Sequence, residues 1–249
     1  MRRFEEKVVL VTGGASGIGR AAALRYGKEG GKVAVGDRNV EGAIAVAEQI
    51  KAEGGEAYGF MVDVSDQASA KAAVAGAVAQ YGKLNVLANC AGVGGFAHTL
   101  EETMEHWNKL IAVNLTGSFQ MAQAALPHIL ASRGNIVLCG STAGIKSHPY
   151  AAAYCASKGG VVQLTRSLAA EFLAQGVRVN CVAPGGIKTP LQRAFELPLG
   201  GDPEHLRKLM TPLGRSKPEE VASLVAFIAS DEGRYMSGAI VPFDGGLTI

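Results

Sequence analysis

Short apolar runs and longer amphipathic stretches alternate along almost the whole chain. The apolar runs are KVVLVTG (7–13), KVAVGD (32–37), AYGFMVDV (57–64), LNVLANCAG (84–92), NIVLCGS (135–141), VRVNCVAPG (177–185) and a last one near 239–243. Most end in turn residues, as buried strands do. Between them lie GIGRAAALRYGKEG, VEGAIAVAEQIKAEG and DQASAKAAVAGAVAQYG, with apolar residues at helical spacing. Further helices are predicted from about Asn114, with Pro127 bending or ending that one, and over 151–174 and 218–230.

Strand–helix–strand repetition predicts right-handed βαβ units. The implied fold is α/β and Rossmann-type: a doubly wound, mainly parallel sheet of seven strands with helices on both faces. Residues 186–215 interrupt the rhythm with Pro190, Pro198, Gly200, Gly201, Pro203 and Pro212. An irregular segment this long inside a compact domain is usually functional, and it is expected to be a substrate lid. The 249 residues fit a single domain, 1–249, with no linker or repeat.

Composition narrows the function. The chain is 48% hydrophobic and 18% charged, with a net charge of +2 and no basic run, so neither nucleic acid nor a membrane surface is expected as partner. The opening MRRFEEKVVL has acidic residues where the apolar core of a signal peptide would follow, which predicts a cytoplasmic protein. Cys90, Cys139, Cys155 and Cys181 lack metal-ligand spacing and read as free thiols that pack as small hydrophobes. No metal site is expected.

The first strand runs into TGGASGIG (12–19), with Gly13, Gly17 and Gly19 as its glycines and Ser16 and Ile18 among them. A Gly-rich turn opening a helix lets a pyrophosphate approach backbone N–H groups at the positive end of the helix dipole. Asp37 ends the second strand, where a carboxylate can accept from both ribose hydroxyls and repel a 2′-phosphate. NAD is therefore favoured. Arg38 argues for NADP, because a guanidinium can hold that phosphate, but Ser16 adds no second basic group. Asp63, followed by Val64, is placed to meet the adenine, and Asn89, Ala91 and Gly92 sit at the expected switch point of the sheet.

Tyr154 and Lys158 in YCASK stand four apart and share a helix face, whereas Cys155 lies about 100° around the axis. A nearby ammonium favours the phenolate, so Tyr154 can exchange a proton with an alcohol or ketone as hydride moves. Ser141 can hydrogen-bond the reacting oxygen.

TGGASGIG, NCAG, Asn114, Ser141, YCASK, PGGIKT and DGG occur in order across nearly the whole chain. In this combination the sequence resembles the short-chain dehydrogenase/reductase family, of the type with about 250 residues and one domain. Its N-N-A-G is here Asn89-Cys90-Ala91-Gly92, with Cys90 expected to pack inward. The resemblance implies a catalytic tetrad of Asn114, Ser141, Tyr154 and Lys158. It also implies that Lys158 bonds the nicotinamide ribose and that Asn114 holds a relay water. In the segment opened by Pro184 and Gly185, it brings Ile187 and Thr189 to the carboxamide. Similar proteins are commonly homotetramers, and the Ala/Gly-rich 151–172 stretch suits close helix pairing.

Around the reacting centre, Val93, Phe96, Ile145, His148, Leu191 and Phe195 are expected to line an apolar substrate pocket. The expected activity is hydride transfer between NAD(H) and a neutral, partly apolar secondary alcohol or its ketone, as an alcohol dehydrogenase or ketone reductase. An NADPH-dependent 3-oxoacyl thioester reductase is the alternative. A dinucleotide sensor without turnover is a remote third, since the tetrad is intact.

Overall fold

The computed structural model describes residues 2–249. Seven strands form one parallel sheet in the order β3-β2-β1-β4-β5-β6-β7. They are β1 (Val8–Thr12), β2 (Lys32–Asp37), β3 (Glu56–Met61), β4 (Val86–Asn89), β5 (Asn135–Cys139), β6 (Arg178–Pro184) and β7 (Ile240–Phe243). The seven apolar runs all hold strands, most of them shorter than the run; β2 coincides with its run and β3 begins one residue before its own. β3 stops at Met61, so Asp63 lies beyond the strand rather than at its end.

The pleat explains why the strands read as continuous apolar runs. All five residues of β1 are buried, with Val9 and Val11 packing on one face and Val8 and Leu10 on the other. A strand covered on both faces gains nothing from alternating with polar residues. The first face is covered by α1 (Gly17–Lys28), α2 (Val40–Ala52) and α8 (Pro218–Ala229); the second by α3 (Gln67–Tyr81), α5 (Gly117–Ser132) and α6 (Ala152–Phe172). Among the described residues no helix is long and apolar enough to cross a membrane.

Two helical expectations are corrected. The helix expected from about Asn114 begins at Met104, as α4 (Met104–Leu110), with Thr103 capping the backbone N–H of His106. It passes through a π-helical turn, Ile111–Thr116, directly into α5. Pro127 neither ends nor limits α5, which runs to Ser132. Pro127 and Gln123 both lie on the exposed side, where water can take the carbonyl that proline leaves unpaired.

The segment between β6 and β7 is the irregular one. It holds a 3₁₀ turn, Pro190–Ala194, and a short helix, α7 (Pro203–Arg207), and Ile187 bridges in parallel to Ser216. All strand C-termini lie on one edge of the sheet, and this segment returns over that edge. The order reverses between β1 and β4, which opens a crevice there.

Candidate active site

A cavity of about 820 Å³ lies along this edge. At one end is the turn between β1 and α1. Gly13 has φ of +66°, and a Cβ there would come 2.8 Å from the Ala91 backbone; a Cβ on Gly19 would come 2.1 Å from the Gly13 carbonyl oxygen. Only glycines let the turn close this tightly against β4 and the helix. No side chain caps α1 at Ser16, and no acidic residue stands in its first turn. The first N–H groups of the helix thus face the cavity without a competing anion, which fits a pyrophosphate. Gly13, Ser16, Gly17, Ile18 and Gly19 all line it.

Asp37 is fixed by backbone donors: Oδ2 accepts from Ala15 N–H at 3.0 Å and Oδ1 from Asn39 N–H at 2.8 Å. Its carboxylate stays at the cavity wall beside the exposed Arg38. Asp63 Oδ1 accepts from both the backbone and the hydroxyl of Ser65, which holds its pKa below the ordinary carboxylate value despite burial. Arg38 adds a smaller pull in the same direction. Asp63 and Val64 line the cavity.

Asn89 does not line it. Its Oδ1 accepts from Thr12 Oγ1 at 2.6 Å and its Nδ2 donates to Ser118 Oγ at 2.9 Å. The side chain thereby ties β1 to β4 and to α5 beneath the crevice, leaving Ala91 and Gly92 to form the surface. Cys90, expected to pack inward, is half-buried and faces the cavity, as does Cys139. At the end of a strand, one residue shifts a side chain from one face to the other.

Asn114 sits in the π-helical turn and is fully buried. Its Oδ1 accepts from Val93 N–H and its Nδ2 donates to Val93 C=O, both at 2.9 Å; Nδ2 also donates to Ser157 Oγ at 3.0 Å. π turns recur at functional sites because the wider ring re-aims side chains and carbonyls. Here the Asn114 carbonyl takes the Ser118 hydroxyl at 2.6 Å. Asn114 itself is not on the cavity wall; it braces the β4 loop on which Val93 lies.

Tyr154, Lys158 and Ser141 do meet at that wall. Lys158 Nζ donates to the Cys139 carbonyl at 2.9 Å and lies 5.9 Å from the centroid of the Tyr154 ring. Ser141, two residues beyond β5, keeps its hydroxyl near the backbone by accepting from Ala143 N–H at 3.1 Å. A phenol, a hydroxyl and an ammonium around one space can bind an oxygen atom and exchange its proton. Pro184, Gly185, Ile187 and Thr189 also line the cavity, with Thr189 against Gly17 of the Gly-rich turn. Cys155 is turned away and packs with Ala151, Ala153 and Trp107.

Phe195 comes down over this centre. Its ring meets Phe96 and Tyr154 edge-on, with centroids 5.0 and 5.1 Å away. Val93, Phe96, His148, Leu191 and Phe195 line the cavity as expected, but Ile145 does not: its side chain is exposed. Burial, with a contribution from Lys146, pushes the pKa of His148 down to about 4, so the ring is neutral at physiological pH. Gln192, Leu206, Arg207, Arg215 and Leu247 also reach the wall and were not anticipated. They come from the irregular segment and from beyond β7, where no local pattern signals a shared cavity. Tyr150, with φ of +61°, accepts from Asp202 N–H at 2.8 Å and meets His205 Nδ1 at 3.0 Å, which fastens the irregular segment to the core.

Comparison with known proteins agrees with this geometry. The family profile described as Enoyl-(Acyl carrier protein) reductase matches residues 13–248. The 2,5-dichloro-2,5-cyclohexadiene-1,4-diol dehydrogenase LinX of Sphingobium indicum is 41% identical, over 99% of this chain and 98% of the relative. D-threitol dehydrogenase of Mycolicibacterium smegmatis is 42% identical, over 99% and 95%. The crystal structure of gox2181 superposes with a TM-score of 0.91 at 37% identity, covering 99% of this chain and 97% of the other. Fold and relatives together define an oxidoreductase with a Rossmann-type sheet and a nicotinamide dinucleotide as its cofactor class. The chain belongs to the short-chain dehydrogenase/reductase family.

Proposed function

We propose that this protein moves a hydride between NAD(H) and a neutral, partly apolar secondary alcohol, diols included, or the corresponding ketone. Tyr154 is the general acid/base, and the nicotinamide supplies the hydride acceptor or donor. The observation that carries the reading is the grouping of Tyr154, Ser141 and Lys158 on one wall of the cavity whose far end is the Gly-rich turn.

Tyr154 takes the alcohol proton through its phenol oxygen, and Ser141 hydrogen-bonds the same substrate oxygen. Lys158 bonds the nicotinamide ribose, while Asn114 holds the β4 loop and a relay water. Gly13, Gly17 and Gly19, with Ser16 and Ile18, receive the pyrophosphate. Asp37 accepts from the adenosine ribose; Asp63 and Val64 meet the adenine; and Ile187 and Thr189, after Pro184 and Gly185, meet the carboxamide. Phe96, Phe195 and Leu191 offer the substrate an apolar surface, and the segment 186–215 acts as its lid. Two relatives are dehydrogenases of a cyclic diol and of threitol. The neutral His148 and Gln192 are available here for a second hydroxyl.

Arg38 favours a second reading, NADPH-dependent reduction of a 3-oxoacyl thioester, since it lines the cavity next to Asp37 and a guanidinium can hold a 2′-phosphate. We further expect a cytoplasmic homotetramer that covers the exposed face of α6 around Ala152, Ala156 and Ala170; a monomer sedimenting at micromolar concentration would reject that assembly.

The test follows absorbance at the reduced-nicotinamide band with NAD⁺ and NADP⁺ offered separately against secondary alcohols and diols. Turnover with NAD⁺, reduced by a factor of roughly 10² to 10⁴ in Tyr154→Phe while dinucleotide binding survives, is the expected result. A variant that keeps its rate removes Tyr154 from the mechanism.

A further inference from the structure

Four cysteines remain outside this chemistry, and two of them form a pair. The register of β4 on β5 matches Val86 with Asn135 and continues in step to Asn89 with Leu138. One step further it sets Cys90 beside Cys139. Neighbouring strands run about 4.8 Å apart, within the Cα separation that a disulfide spans. Paired residues of a parallel ladder point to the same face, and the two thiols shift one another's ionisation. Both open onto the cavity, so a small oxidant can reach them.

We propose that Cys90 and Cys139 form a dithiol that peroxide oxidises reversibly to a disulfide across the C-terminal ends of β4 and β5. The two sulfurs are not equivalent. The neighbouring Cys90 thiol draws the Cys139 thiol below its ordinary pKa; burial opposes this, and the Lys158 ammonium assists. Cys90 is pushed up by its Cys139 neighbour and by burial. Cys139 is therefore the attacking thiolate and Cys90 the resolving thiol.

The steps balance. The Cys139 thiolate attacks hydrogen peroxide; an S–O bond forms, the O–O bond breaks, and hydroxide leaves. Cys90, giving its proton to the departing oxygen, attacks the sulfenic sulfur; the S–S bond forms, the S–O bond breaks, and water leaves. Two thiols have lost two electrons and two protons, and one peroxide has become two waters.

The pair also touches the reacting centre through the backbone. Lys158 Nζ donates to the carbonyl of Cys139 itself. A bond between the sulfurs draws that residue toward Cys90 and shifts the acceptor that aims the ammonium. The expected consequence is a loss of dinucleotide binding that a thiol reductant restores. This consequence rests on the proposed reading of the cavity; the disulfide does not.

The sequence makes the test direct, because cleavage after Lys and Arg puts each cysteine on its own peptide: 84–109, 134–146, 147–158 and 179–188. The full chain is treated with hydrogen peroxide, alkylated, digested without reductant and mapped by mass spectrometry. Two of the four thiols should vanish together, with 84–109 joined to 134–146, and dithiothreitol should return both. In Cys90→Ser, dimedone should trap a sulfenic acid on Cys139. Oxidation falling first on Cys155 or Cys181, or Cys139 passing to sulfonic acid in the wild-type chain with no linked peptide, overturns the proposal. The wild-type map needs no variant to fold. Titration of NADH fluorescence separates the two claims. NADH bound equally before and after disulfide formation overturns the switch. No NADH bound in the reduced state overturns the reading of the cavity instead.

Discussion

The Phe195 ring rests edge-on against the Tyr154 ring, with centroids 5.1 Å apart. One comes from the irregular segment after β6 and the other from α6, so the contact joins the proposed lid to the proposed proton-transfer residue. An aromatic pair of this kind contributes about 0.5–1.5 kcal/mol beyond its buried area. Phe195→Ala should therefore lower kcat/KM for an alcohol by roughly tenfold, mainly through KM. The dinucleotide dissociation constant should not move; a matching loss of cofactor affinity would show that Phe195 holds the cofactor instead.

Asp37 is the proposed selector of the dinucleotide. Two backbone N–H groups fix its carboxylate at the cavity wall, where it both accepts hydrogen bonds and repels added negative charge. Asp37→Ser should reduce kcat/KM with NAD⁺ by about 10- to 100-fold, as expected for hydrogen bonds to a charged acceptor. The same change should raise the rate with NADP⁺, through Arg38. Steady-state kinetics with both cofactors checks this, and an unchanged ratio of the two rates would dismiss Asp37 as the selector.

Asn114 is an energetic keystone as well as a proposed catalytic group. Asn114→Ala strips both hydrogen bonds from the Val93 backbone and one from Ser157. Leaving such groups unpaired costs about 3 kcal/mol in total. At about 2–4 °C per kcal/mol for a chain of this size, calorimetry should find the midpoint lower by roughly 6–12 °C. A shift below one degree would mean that water replaces the side chain freely.

His148 makes stability depend on pH. Its folded pKa is about 4, against about 6.5 in an unfolded chain. Between those values the unfolded state binds the extra proton, so stability rises with pH there. The contribution is complete above about pH 6.5 and is lost as pH falls toward 4, with a slope of at most about 1.4 kcal/mol per pH unit. Chemical denaturation at several pH values should show a flatter profile for His148→Gln. Parallel profiles would assign the acid sensitivity to other groups.

How much of this was readable in the residues depends on how local each signal is. The strands were legible because burial on both faces leaves continuous runs such as VVLVT. The Gly-rich turn and the Tyr154–Lys158 face were legible because each needs only neighbours in sequence. The π turn was not, since nothing in IAVNLT separates one hydrogen-bond ring size from another. The place of Asn89 beneath the cavity was not legible, because its partners, Thr12 and Ser118, are distant in the chain and take both of its polar groups. Ile145 was misjudged because apolar character does not say which way a side chain turns beyond a strand end. Arg207, Arg215 and Leu247 join the cavity only when the chain returns across the sheet edge.

That return has a wider meaning. The stretch that covers the reacting centre runs between β6 and β7, while the Gly-rich turn, Asp37 and Tyr154 all precede it in the chain. In the proposed reading, much of what handles the cofactor and much of what chooses the substrate are thus separate paragraphs of one text. A sheet of this order can keep its proposed chemistry while the later paragraph is rewritten, so much of a new preference for alcohols can come from changes in the segment that carries Leu191, Gln192 and Phe195.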